Sequence, residues 1–316
     1  MKKMKLGNDY IPGIAIGTWS WGTGFNGGDK VFGNTYQYDE LYPVFKYAVE
    51  NHLVLWDTAA IYGMGASESI LGECIKSSSN IIISTKFSPL GLQGKKAMEH
   101  SFNKSVLRLN QPILDIYWIH NPSNVRKWTN QAILLHKAGK IKHIGVSNHN
   151  LQQVKEASLI LEKNGLHLDA VQNHYSLLYR TSENTGLLDW CNKNETRFFA
   201  YMVLEQGALS NKYNSSNPFP SGSRRSKNFP PTKLAKIEPL IKYMTTIGEK
   251  YKADASQVAI AWALSKGTIP LVGATTTSQI DSLLHAEKII LSQEEIALLE
   301  ETAYNTSVTT KTSWEK

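Results

Sequence analysis

Cysteine is scarce in this sequence of 316 residues: only Cys74 and Cys191 occur, 117 positions apart, with no CxxC pair and no histidine at zinc-ligand spacing. Neither a disulfide framework nor a structural metal site is therefore indicated, no metal is expected, and both thiols read as reduced core residues. Long apolar runs are missing too. No stretch approaches the ~20 apolar residues of a membrane span. The basic start MKKMKLGNDY leads only into Ile11 to Ile16, which Pro12 and Gly13 interrupt, so no secretory signal is expected. A cytoplasmic protein with no membrane partner is the expectation. There is no internal repeat or low-complexity tract. With 22 Gly, 11 Pro and 41% hydrophobic residues, collagen, disorder and coiled coil are disfavoured and a large core can form. Charged residues make up only 19%, yet 34 Lys+Arg against 27 Asp+Glu leave a net +7. That suggests an anionic ligand. Nucleic acid is not expected, because no concentrated basic face with interleaved aromatics is present.

What the chain does have is short aliphatic runs: Ile14–Thr18, Leu53–Thr58, Ile81–Lys86, Ile113–His120, His143–Ser147, Ala170–Asn173, Arg197–Met202 and Ile269–Val272. All eight are near-continuous in hydrophobicity, as strands buried on both faces must be. Helical stripes and caps lie between them. Ile70, Leu71, Cys74 and Ile75 form one stripe, and Ala255, Val258, Ala259 and Trp262 another; Asn150 with Gln153, Asp254 with Gln257 and Ser292 with Glu295 spell capping boxes. This alternation predicts an α/β fold, a single (α/β)8 TIM barrel domain over residues 1–316 with long loops over its C-terminal face. Periodicity by itself leaves a doubly wound open sheet as the competitor. Residues 20–37 and 207–233 exceed a minimal connection and are candidate lids.

Gly22, Gly24 and Gly27 spell GxGxxG after the first run, but the dinucleotide fingerprint needs the third glycine to open a helix. No helical stripe is expected there before about Asp39, so the motif reads as a flexible aromatic loop. More informative are three successive strand ends. Asp57 closes the second run with Tyr62 five residues on, Lys86 closes the third and His120 the fourth. In a barrel these ends converge on one mouth. Charges there are costly unless paired, so Asp57 and Lys86 are expected as a buried ion pair. Together the four look like a proton-transfer site, although a rim ion-pair network without chemistry has the same composition.

The stretches GTW at 17–19, WDTAAIYG at 56–63, ISTKF at 83–87, LDIYWIH at 114–120, GKIKHIGVSN at 139–148, VQNHYSLL at 171–178 and the LxxGxLxxKY element at 204–213 resemble the aldo-keto reductases, in order and spacing, from about residue 7 to 300. The branch related to potassium-channel β subunits and bacterial aldo-keto reductases is closest in pattern. The resemblance implies hydride transfer from NADPH to a small-molecule aldehyde or ketone on a barrel with no Rossmann domain, through a tetrad of Asp57, Tyr62, Lys86 and His120. Tyr62 would be the general acid. A phenol with pKa ~10 is a poor acid at neutral pH, and the Lys86 ammonium, held by Asp57, is expected to lower that pKa. His120 would donate to and orient the carbonyl.

The resemblance also assigns cofactor positions. Ser147, Asn148 and Gln172 would meet the nicotinamide carboxamide, and Tyr201 would stack on its ring. Leu204, Gly207, Leu209 and Lys212 follow the loop that runs along the pyrophosphate, with Arg224, Arg225 and Lys227 near the adenosine phosphate, which favours NADP over NAD. Gly273, Thr275 and Gln279 match the segment after the last strand, where Thr277 and Ser278 start a helix facing an anion. Two departures stand out: Ser282 and Leu283 replace the usual Glu-Asn at the adenine, and Met202-Val203 replaces Ser-Pro after the stacking tyrosine. Trp19, Trp21, Phe87 and Trp118 are expected to line an apolar substrate pocket. The alternative reading is a nicotinamide-nucleotide-binding regulatory subunit with slow or no turnover. Oligomeric state is not legible in the sequence.

Overall fold

The computed structural model describes residues 2–311. Every expected aliphatic run is a strand: β3 (Ala15–Gly17), β4 (Leu55–Asp57), β5 (Ile82–Phe87), β6 (Leu114–Ile119), β7 (Ile141–Ser147), β8 (Ala170–His174), β9 (Arg197–Tyr201) and β10 (Ile269–Gly273). Each pairs in parallel with its neighbours in sequence, and β10 returns to β3 through Leu271↔Ala15, so the sheet is a closed barrel rather than an open doubly wound one.

Alternation along these strands sends side chains into two separate cores. Leu55, Ile116, Trp118, Ala170, Phe199 and Ile269 fill the barrel interior. Residues of the other parity, such as Trp56, Phe87 and Tyr117, face outward into a larger core beneath the helices. Trp118 is accommodated because residue 145 on the adjoining strand is glycine: a Cβ there would stand 2.2 Å from the indole. The expected helical faces are buried, including Ile70, Leu71, Cys74 and Ile75 in helix Ala66–Ile75. All three expected capping boxes form, at Asn150, Asp254 and Ser292, and two more join Gln37 to Glu40 and Thr276 to Gln279.

One element lay outside the expectation. β1 (Lys3–Leu6) and β2 (Asp9–Pro12) make an antiparallel hairpin whose Leu6 and Ile11 belong to the interior core. Asp9 reaches His143 near the start of β7 at 2.9 Å, so the hairpin stoppers the barrel at the end away from the site. Its signal was the two-residue Gly7-Asn8 connection, a hairpin turn sequence, with Gly7 at φ 54°. The GxGxxG loop also differs from expectation, since a single helical turn, Gly28–Val31, follows Gly27 directly. One turn on a barrel rim is not the long helix of a dinucleotide fold. Among the described residues no helix is long and apolar enough to cross a membrane.

Candidate active site

Asp57 and Lys86 form the expected ion pair, their side chains 2% and 0% exposed. Adjacent parallel strands bring them together, Asp57 lying level with Ser84 on β5. Lys86 Nζ pairs with Asp57 Oδ2 and donates to the Thr58 carbonyl at 2.9 Å. Asp57 Oδ1 accepts from Ser84 Oγ and from Gln172 Nε2, the latter at 3.1 Å. A buried carboxylate held by three donors meets the condition under which a buried pair is tolerated. Burial alone would depress the Lys86 pKa, but the charges of Asp57 and Tyr62 and the hydrogen bonds to both together outweigh it, and the group sits above its ordinary value.

Tyr62 follows β4 in a tight turn, Tyr62–Gly65, whose Gly63 and Met64 have φ of 57° and 54°. A Cβ at Gly63 would stand 2.7 Å from the Thr23 carbonyl, so the turn that aims Tyr62 depends on glycine there. The phenol ring stacks on Trp19 (5.7 Å, 22°) and meets His120 edge-on (6.3 Å). Lys86 Nζ lies 5.1 Å from its centre. The expected fall in the Tyr62 pKa is corrected by the structure. Burial, joined by the charge of Asp57, raises it more than the Lys86 charge and hydrogen bond lower it, so the phenol lies above its ordinary value.

His120 follows β6, and its backbone is held on both sides: its N–H donates to the Phe87 carbonyl at 2.9 Å and its C=O accepts from Asn148 Nδ2 at 2.9 Å. Burial and the Lys86 charge drive its imidazole down to about 3, so it is neutral across the ordinary pH range.

These groups open onto one cavity of about 740 Å³. Asp57, Tyr62 and His120 line it, as do Ser147, Asn148, Gln172, Tyr201, Leu204, Gly207, Lys212, Arg224, Gly273, Thr275 and Gln279. Ser147 Oγ is buried and has no partner among the described residues, as a hydroxyl reserved for a bound amide would be. Asn148 instead uses both ends of its amide within the protein, accepting from Tyr201 Oη at 2.6 Å. The long loops meet above the cavity. Arg224 Nη1 donates to Asn26 Oδ1 at 2.9 Å, and Arg225 sits among the rings of Phe32, Tyr213 and Phe219, with its Nε buried and unpartnered among the described residues.

Five expected site residues lie elsewhere. Trp21 is fully buried and donates through Nε1 to the Ala274 carbonyl at 3.0 Å. Phe87 points outward against Trp128, because its neighbour Lys86 takes the inward position. Trp118 shares the inward parity of His120 but stands two residues deeper, packed on Phe199. Leu209 is likewise core. Lys227 is exposed and does not line the cavity. Of the expected substrate wall only Trp19 remains, joined by Phe32, Tyr36, Ile61 and Leu90, none of which was expected there. Ser84 and Ser88 were missed as well: each meets its site partner across a strand boundary, at separations of 27 and 32 residues that no local pattern marks.

The Aldo/keto reductase family model matches residues 13–303. The chain belongs to this family. It is an oxidoreductase, and its relatives carry names of that kind. A chloroplastic pyridoxal reductase of Arabidopsis thaliana is 30% identical over 95% of this chain and 85% of its own length. A Schizosaccharomyces pombe aldo-keto reductase named for NADP(+) is 25% identical over 96% of this chain and 92% of its own. Among solved structures, a thermostable aldo-keto reductase in complex with the inhibitor epalrestat superposes with a TM-score of 0.76 at 25% identity, covering 96% of this chain and 100% of that one. The glycerol dehydrogenase of Gluconobacter oxydans shares the barrel fold with a TM-score of 0.81 at 22% identity, over 95% of this chain and 94% of that one.

Proposed function

We propose that this aldo-keto reductase reduces an apolar or aromatic aldehyde or ketone with NADPH, using Tyr62 as general acid. The observation that carries the reading is the juxtaposition of His120 and the Tyr62 phenol on one cavity wall, with the Lys86 ammonium buried beside the phenol ring. When bound, the nicotinamide nucleotide would supply the hydride. The residues must then place the carbonyl, stabilise the developing alkoxide and deliver a proton to its oxygen.

A phenol above its ordinary pKa keeps its proton until the oxygen becomes more basic than a phenolate. Lys86, 5.1 Å from the ring, stabilises the phenolate that the transfer leaves. Asp57 keeps that ammonium charged and in place, and His120 offers its one N–H to the carbonyl oxygen. General acid catalysis of this kind contributes ~10²–10⁴ in rate. Trp19, Phe32 and Leu90 exclude water and favour an apolar substrate.

Ser147 and Gln172 would hold the carboxamide and Tyr201 the ring face. Lys212 and Arg224 would meet the phosphates, in keeping with the NADP(+) name of the fission-yeast relative. Ser282 and Leu283 line the same cavity, and there Leu283 would offer the adenine packing in place of hydrogen bonds. The test is turnover of a panel of aromatic aldehydes by the wild type and Tyr62→Phe. Loss of at least 100-fold in kcat with NADPH binding unchanged supports the reading, and undiminished turnover overturns it. A wild type that binds NADPH tightly yet turns over no carbonyl would favour the regulatory alternative.

A further inference from the structure

His120 has a partner that the tetrad does not account for. Ser88 Oγ lies 2.9 Å from His120 Nδ1. The contact is built rather than incidental. Ser88 directly follows Phe87, whose carbonyl receives the His120 N–H, so backbone and side chain hold the histidine from the same strand end. Pro89 confines the Ser88 backbone to extended conformations. Gln93 closes the segment behind it, donating from Nε2 to the Ser88 carbonyl at 3.3 Å and accepting from Leu90 N–H at 2.8 Å.

A neutral imidazole carries one proton on one of two nitrogens, and the hydrogen bond at one nitrogen decides where it sits. Among the described residues His120 Nδ1 is the only partner of the Ser88 hydroxyl, and no described residue hydrogen-bonds Nε2. With Ser88 donating, Nδ1 is the acceptor and the proton belongs on Nε2. The opposite arrangement would turn an Nε2 lone pair toward a substrate oxygen that itself carries lone pairs.

We propose that Ser88 is a positioning residue that fixes His120 as the Nε2–H tautomer, so that the ring presents a donor to the carbonyl oxygen beside the Tyr62 hydroxyl. The proposal rests on the reading that Tyr62 and His120 meet that oxygen, and its test separates the two.

Protein labelled with ¹⁵N-histidine is examined by long-range ¹H–¹⁵N correlation, with the His120 signals assigned by their loss in His120→Asn. The wild type is expected to show the Nε2–H pattern. Ser88→Ala is expected to lose that single pattern, with kcat falling about 5- to 10-fold, the rate equivalent of one intramolecular hydrogen bond. NADPH affinity stays unchanged, and Ser88→Thr, which keeps a hydroxyl, retains both the pattern and the rate. An Nδ1–H pattern in the wild type overturns the proposal, as does Ser88→Ala with unaltered tautomer and kcat while Tyr62→Phe is inactive. Normal turnover by Tyr62→Phe brings down the tetrad reading, and with it the role assigned to Ser88.

Discussion

Replacing Lys86 by Met removes the ammonium and leaves the Asp57 carboxylate buried with Ser84 and Gln172 as its remaining donors. Breaking a fully buried pair by deleting one partner costs ~3–5 kcal/mol, because the surviving charge is stranded. Two remaining donors place this site at the low end, about 3 kcal/mol. For a domain of this size that is a fall in melting temperature of roughly 4–5 °C. Urea unfolding followed through tryptophan fluorescence measures it. Asp57→Asn/Lys86→Met removes the stranded charge while keeping an acceptor for Ser84, and is expected to recover stability to within about 1 kcal/mol of the wild type. Neither variant should turn over. A Lys86→Met protein that unfolds with the wild type would refute the reasoning. A double variant as unstable as the single one would assign the cost to packing of the lysine stem.

Two further outcomes follow from corrected or unforeseen features. Trp118→Ala should cost about 3–5 kcal/mol of stability and leave the ranking of carbonyl substrates unchanged, whereas Trp19→Ala should alter that ranking at small cost in melting temperature; comparing kcat/KM across aldehydes with thermal melts checks both. At the hairpin stopper, burial pulls the His143 pKa down, but hydrogen bonds and charge from Asp169 and Asp9 outweigh it and leave it raised. The stabilisation is therefore complete below the ordinary histidine pKa of ~6.5 and is lost as pH rises through the raised folded value. Unfolding free energy should decline in that window by no more than about 1.4 kcal/mol per pH unit, and Asp9→Asn should flatten the decline.

The barrel was legible because strands buried on both faces leave an unbroken aliphatic record, and capping boxes at Asn150, Asp254 and Ser292 punctuate the helices between them. The gathering of Asp57, Lys86 and His120 was legible because strand ends in a barrel share one mouth, which turns positions 57, 86 and 120 into neighbours. The substrate wall was not, because a motif gives residue type without depth or parity. Phe87 adjoins Lys86 and so faces away from it, and Trp118 matches the parity of His120 but lies roughly 6.6 Å lower at 3.3 Å per strand residue. The Tyr62 pKa failed for a related reason. Lys86 acts in the expected direction, but desolvation depends on how deeply the phenol is packed, and no spacing encodes that. The hairpin was announced by Gly7-Asn8 and masked by the basic residues around it.

Closure of the ring also sets a timetable for synthesis. Leu271 of β10 pairs with Ala15 of β3, 256 positions earlier. At ~5–20 residues per second a ribosome takes roughly 13–50 s to make that span. For all of that time one side of β3 exposes unpaired amides and carbonyls, the kind of edge that recruits other chains. A chain stalled or cleaved before residue 269 has no strand to cover it, so the nascent protein, rather than the finished enzyme, is where this fold is most prone to aggregate.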